Sequence, residues 1–457
     1  MVSDKFRHQL RQEAEEWKAE GLIDAWQYEQ LSERYQFNHL DISDRNRFIL
    51  ILIGLGSLLL GLAVITLVAA NWQVWSRELR VGLLLSLFIG VNAVGFYLWR
   101  CPPNQWQHRL GYGVLLLGAL ILGANLALMA QMFHQSGSPA RLFLVWALGV
   151  LAMAYSLRLT LLGMLAVLLM GIGYWWGQVD LFSLTEFSWL RLMLQHMPIL
   201  AGLMFVPLAY WCQSRWLFGM GAIAIISSLE ANLIRVEIPG PGVQALIAAI
   251  AFALPPALLW AYEDRLWGRR DIADSPRLRF RPIARNLALL FLGVLFYLFS
   301  FRGLWPPPVQ ATPGNVPQVN WMLLLDAAIL GCLTIWEWLR LIRRLDLTTI
   351  VVGGLIAIAA VVPWWHISIV PIQDTAVWIF NITLFLLSAG LIREGLAQGQ
   401  RRSFWGGMVL LTLQIFSRMV EYDTGLLFKA FVLFLCGVGV ITAGLWFERH
   451  VRTLHHR

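Results

Sequence analysis

The stretch FILILIGLGSLLLGLAVITLVAA, residues 48–70, decides the fold. A hydrocarbon slab about 30 Å thick needs roughly 20 apolar helical residues per crossing, and inside it a backbone satisfies its hydrogen bonds only as a helix or a closed barrel. This block has 23 residues and no charge, so it is long enough to cross as a helix. Similar blocks follow at about 79–99, 110–130, 140–157, 159–177, 197–212, 216–234, 242–262, 286–304, 321–341, 347–366, 374–393, 404–420 and 426–447. The pattern predicts an all-α, polytopic transmembrane helical bundle of about 14 spans.

Composition points the same way. With 58% hydrophobic and 14% charged residues, the chain is too apolar for a water-soluble core and shell. Residues 1–47 lack the short apolar core and small-residue cleavage site of a secretory signal, so the span at Phe48 is expected to act as an uncleaved signal anchor. Cys101, Cys212, Cys332 and Cys436 stand singly, with no CxxC and no His at ligand spacing, which predicts packing and no metal site.

The net charge of +8 raises nucleic acid as a partner, but its distribution argues against one. Residues 1–47 carry ten acidic and seven basic side chains, so the basic excess lies in the loops between spans. With both termini cytoplasmic, 27 of the 35 Lys and Arg fall on the inner side and eight outside, as the positive-inside rule requires. Arg265 to Arg285 alone hold seven arginines and predict contact with anionic lipid headgroups at the inner face. The organisation read from these signals is a hairpin over 1–47, spans over 48–262, an Arg-rich cytoplasmic loop over 263–285, spans over 286–447 and a basic tail over 448–457. The charge bias and hydropathy together predict a multi-pass cytoplasmic (inner) membrane protein with both termini inside. Trp72, Trp75, Trp175, Trp176, Trp364 and Trp365 are expected in an outer aromatic belt.

The segment before the membrane reads as two amphipathic helices, one from about Ser3 to Glu20 stopped by Gly21, the other capped by Asp24 and running through Tyr35. Leu10, Ala14 and Trp17 share a face that Ile23, Tyr28 and Leu31 can close. So small a hairpin calls for a partner, through self-association or a second protein.

The turn Gly21-Leu22-Ile23-Asp24, the first span ending in Ala69-Ala70-Asn71-Trp72-Gln73, and the closing Tyr422-Asp423-Thr424-Gly425-Leu426-Leu427-Phe428-Lys429 with Trp446-Phe447-Glu448-Arg449 resemble a bacterial family of predicted polytopic membrane proteins of unknown function. The likeness lies at the two ends of the chain. It implies the topology and supplies no catalytic residues and no cofactor.

No phosphate loop, HExxH helix, GxSxG elbow or dinucleotide fingerprint is present, so no cofactor or catalytic set is assigned. The chemistry-bearing residues left are polar groups at membrane depth, where a charge costs roughly 2.5–3.5 kcal/mol on insertion scales and turns toward a cavity or partner. Glu230 and Asn232 lie near the outer end of one span, Asp326 and Glu337 share a face of another, and Gln414, Arg418 and Glu421 form a stripe with Asp423 just beyond. One reading pairs Arg418 with Glu421 and lets the other carboxylates reach the outer interface. The sharper one gathers Glu230, Asp326, Arg418, Glu421 and Asp423 around an outward-facing polar cavity that binds a small or lipid-linked solute or an ion. A partner-recruiting scaffold and a membrane transferase using an outer carboxylate are the competing functions. The Pro255-Pro256 pair is expected to kink its span, and Gly173 with Gly177 to allow close helix packing.

Overall fold

The computed structural model describes residues 4–35, 75–102, 104–134, 137–180, 188–236, 241–264, 280–305, 321–343, 346–421 and 425–455. Among the described residues there are helices and no strand. The chain divides into two compact units, Met1–Leu87 and Phe88–Arg457. The expected first span at 48–70, Trp72, the interior of the Arg-rich loop and Asp423 lie outside the described residues.

In the first unit, α1 (Asp4–Ala19) and α2 (Ala25–Tyr35) form the hairpin that the sequence predicts. Gly21 turns the chain at φ +76°, in the left-handed region that glycine enters without steric cost. Gln27 closes the start of α2 by accepting from the Asp24 amide at 2.9 Å, the side-chain half of a capping box. Ala14 is fully buried beneath Leu10, Trp17, Ile23, Tyr28, Leu31 and Tyr35. The Tyr28 hydroxyl donates to Glu15 at 3.3 Å, and burial together with that carboxylate pushes the Tyr28 phenol above its ordinary pKa.

Helix α3 (Arg77–Arg100) runs across the boundary of the units. The second unit continues with α4 (Gln105–Met132), α5 (Pro139–Leu157), α6 (Thr160–Asp180), α7 (Trp189–Gln195), α8 (Met197–Trp211), α9 (Arg215–Ile234) and α10 (Pro241–Ala261). It ends with α11 (Arg281–Phe299), a 3-10 turn at Arg302–Leu304, α12 (Trp321–Ile342), α13 (Leu347–Ser368), α14 (Gln373–Gln398), α15 (Arg401–Glu421) and α16 (Leu426–His455).

Eleven described helices are long and apolar enough to cross a membrane, and α7 with α8, bent by 74°, make a twelfth as a broken span. Helix α12 has the length of a span at 22 residues but carries Asp326, Glu337 and Arg340. Counted with α12, thirteen of the expected spans find a helix at their place. Leu and Trp side chains such as Trp216 at 77% and Leu427 at 89% exposure stand on the outside, an apolar surface that water would not tolerate and lipid does.

Small residues let these helices approach. A Cβ on Gly173 would meet Leu144 at 2.9 Å, and one on Gly177 would meet Leu194 at 2.7 Å, so both glycines pack closely as expected. Closer still, a Cβ on Gly395 would meet the Phe404 backbone nitrogen at 2.4 Å and one on Gly407 the Ser388 carbonyl oxygen at 2.6 Å. These contacts clamp α14 against α15.

Helix α10 runs unbroken through the buried Pro255 and Pro256. The sharp break lies instead at His196, two residues before Pro198. A proline there has no N–H to give and its ring crowds the carbonyl four residues back, that of Leu194, which favours a break between α7 and α8.

Candidate functional site

The break places a histidine where a helix would have placed backbone. His196 serves as the last residue of α7 and the entry to α8, its amide bonding the Leu192 carbonyl at 3.0 Å and its own carbonyl taking the Leu200 amide at 3.0 Å. Its ring swings to α12, with Nδ1 2.7 Å from Oδ1 of Asp326. Asp326 is 0% exposed, so the pair joins two helices inside the bundle. Oδ1 accepts in this bond when Nδ1 carries the ring proton, as it can whether Asp326 is ionised or holds a proton on Oδ2. The Ile199 amide in the first turn of α8 also lies near the carboxyl group, while Oδ2 has no donor in bonding geometry.

Around this corner runs a polar network. Tyr174 of α6 donates to the Ser228 carbonyl at 3.0 Å and lies 2.9 Å from Oδ1 of Asn232 on α9. Gln178 gives its amide nitrogen to the same Asn232 oxygen at 3.4 Å, and Asn232 returns its own to the Gln195 carbonyl at 2.8 Å. Arg235 bonds the Gln178 backbone oxygen at 2.7 Å. The C-terminal ends of α6 and α9 thus meet the elements at the break through polar side chains, beside the apolar packing of Leu229, Leu233 and Ala327. Gln178 is 1% exposed and its Oε1 is bonded by no donor.

A second network, on α11, α14 and α15, closes on itself. Arg418 pairs with Glu421 one turn away and donates to the Ser300 carbonyl at 2.6 Å, its guanidinium 4.7 Å from the centre of the Phe301 ring. Glu421 accepts from the Arg302 amide at 2.8 Å, and the Arg302 carbonyl accepts from Gln373 at 3.0 Å. Asn381 donates to the Ser300 carbonyl at 3.3 Å, and Gln414 to the Asn381 carbonyl at 2.8 Å. At the rim, Arg302 and Asp374 pair at 2.8 Å. These links tie the C-terminal end of α11 to the α14–α15 hairpin, with Gln414 Oε1 and Arg418 Nε left unbonded.

A third network holds the opposite end of α11. Asp264 accepts from the Phe280 amide at 2.9 Å, the Arg281 amide at 3.3 Å and the Tyr210 hydroxyl at 2.7 Å. It therefore caps α11 from across the Arg-rich loop and ties that cap to α8. Tyr262 shares the site, 2.7 Å from Tyr210, and burial raises its phenol well above the ordinary range, which keeps it a neutral donor.

Of the residues expected in one cavity, the structure brings together Arg418 and Glu421, and gives Asp326 a different partner, His196, on other helices. Glu230 of α9 is half-buried, with Oε1 shielded and without a donor. Asp326 and Glu337 both face inward, at 0% and 4% exposure, as their spacing predicts; Glu337 meets Arg340 at 3.3 Å. His366 is buried at the end of α13, where Nδ1 accepts the Ile372 amide at 3.0 Å. Sequence reading passed over His196, Tyr174, Gln178 and Asp264. Only the Met197-Pro198 step hinted at the corner.

Apolar helices of spanning length, with buried polar pairs between them, define a polytopic α-helical membrane protein. Residues 15–163, about a third of the chain, match the family model described as a predicted membrane protein (DUF2157), a description that carries no activity. The match takes in the amino-terminal part of the resemblance, while His196, Asp326 and Arg418 lie beyond it. No curated protein and no solved structure matches the chain.

Proposed function

We propose that this protein binds and moves a small or lipid-linked solute across the bacterial inner membrane, and that the corner formed by His196 and Asp326 is its working site. The observation that carries this reading is a fully buried carboxylate joined at 2.7 Å to a histidine standing in a helix break. Ionisable residues inside a bundle are costly and mark ion or solute paths, and transporters place their sites where spanning helices are interrupted. In this reading Glu230 belongs to the same working region, while Arg418 and Glu421, with Asp423 beyond them, hold the rim of the outer end. Both termini are cytoplasmic, residues 1–47 form a cytoplasmic module, and the Arg-rich loop over 263–285 rests on anionic headgroups.

The competing scaffold reading draws on the hairpin, which has its own small core and leaves Leu22 and Trp26 exposed at 67% and 70%. Access separates the two. With the four native cysteines replaced and Gln195→Cys introduced, a carrier exposes that buried position to a membrane-impermeant maleimide added on either side of the membrane in turn. Labelling from neither side, or from one side only under all conditions, would contradict the carrier reading and favour the scaffold.

A further inference from the structure

We propose that Asp326 is a proton-binding site, holding one exchangeable proton on Oδ2 while Oδ1 keeps its bond to His196; this rests on the working site above and names what that site binds. The argument starts from donors and acceptors. Within the corner, the Tyr174 hydroxyl, one N–H of each of the Gln178 and Asn232 amides and His196 Nδ1 are bonded, and the Ile199 amide lies near the Asp326 carboxyl group. Two acceptors are met by no donor, Oδ2 of the fully buried Asp326 and Oε1 of Gln178. A buried acceptor left unbonded is costly, and more so when it carries charge. A proton on Oδ2 removes the charge from the carboxylate atom that no donor meets.

Size narrows the ligand. Asp326 has no exposed surface, so a solute with several heavy atoms reaches it only if the corner opens, whereas a proton adds no heavy atom to the buried site. Charge agrees. With neutral imidazole and neutral acid the pair carries no net charge; with the proton gone it holds an uncompensated negative charge inside the bundle, which is costly. The ionisable residues on the elements around the pair are Tyr174 of α6, Arg191 of α7, Glu230 of α9 with Arg235 just beyond it and bonded to the Gln178 carbonyl, and Glu337 and Arg340 further along α12, while α10, which packs on α12, has none. Loss of the proton to water takes the form Asp326–COOH + H2O giving Asp326–COO− + H3O+, with His196 unchanged in the balance.

Infrared difference spectroscopy of the full chain in lipid nanodiscs, titrated with acid and base, reads this proton directly. A carboxylic acid C=O band that persists at neutral pH, shifts in deuterium oxide and disappears in Asp326→Asn is the expected result. Glu230→Gln controls for the other shielded carboxyl and should leave that band in place. Spectra of wild type and Asp326→Asn that superimpose at every pH would overturn the proposal. Should Asp326→Asn fail to fold, His196→Gln serves instead, since removing the partner of Oδ1 must move the pH at which the band titrates; an unmoved band overturns it. Loss of the band on adding Na+ at fixed pH would mean a metal-cation site and overturn it equally. One-sided maleimide labelling with the band intact would sink the carrier reading and leave the proton site standing.

Discussion

The Arg418–Glu421 chain and the His196–Asp326 corner both bury polar groups between helices, yet they place charge differently. Around Arg418, the Ser300 carbonyl, the Arg302 amide, Gln373, Asn381 and Gln414 are bonded in succession, and the network knits three helices. Around Asp326, a fully buried carboxyl group meets one side chain, His196. Both regions hold shielded atoms without a bond, Gln414 Oε1 and Arg418 Nε in the first and Asp326 Oδ2 and Gln178 Oε1 in the second, so what separates them is that one carboxylate faces an always-charged guanidinium and the other a histidine. On the proposed function, the first region serves stability and the second ligand handling.

Substitutions should widen that contrast in a definite order. Arg418→Ala removes the hub of a mostly buried chain and leaves Glu421 without its cation, so unfolding in mixed micelles should show a loss on the order of 3 kcal/mol. Gly395→Ala and Gly407→Ala push a methyl group into backbone atoms of the opposing helix and should each cost about 1–3 kcal/mol by the same assay, with Gly354→Ala, which meets nothing, near zero. Tyr174→Phe keeps the packing and removes the hydroxyl that bonds Ser228 and Asn232, a loss of about 1 kcal/mol. Asp374→Asn breaks only a pair exposed at 65% and 71%, so its unfolding midpoint should coincide with that of the wild type.

The spans were readable because hydrocarbon imposes length and hydropathy on any crossing helix, whatever its neighbours. The hairpin was readable for a related reason: Ala14 with Leu10 and Trp17 follows the helical period, and Gly21 and Asp24 mark the turn. The Arg418–Glu421 pair is local, one helical turn, and so could be seen in the sequence. The His196–Asp326 pair is 130 residues apart and depends on which helices pack, information that periodicity does not hold. Asp264 escaped notice for the same reason, since it caps a helix that begins beyond a loop. Pro255 and Pro256 sit within a helix that stays continuous, while the sharp break comes at the step into Pro198 in the first turn of α8, so position within the helix as well as number decides what a proline does.

The stability of Asp326→Asn, set beside that of Arg418→Ala in one unfolding series, tests this division most directly. An amide is nearly the same size as the carboxyl group and, like the protonated acid, carries no charge, so the account predicts a change within about 1 kcal/mol of wild type, or a small gain. A loss as large as that of Arg418→Ala would mean that Asp326 is a structural anchor like the Arg418 network, and would contradict its assignment as the working site.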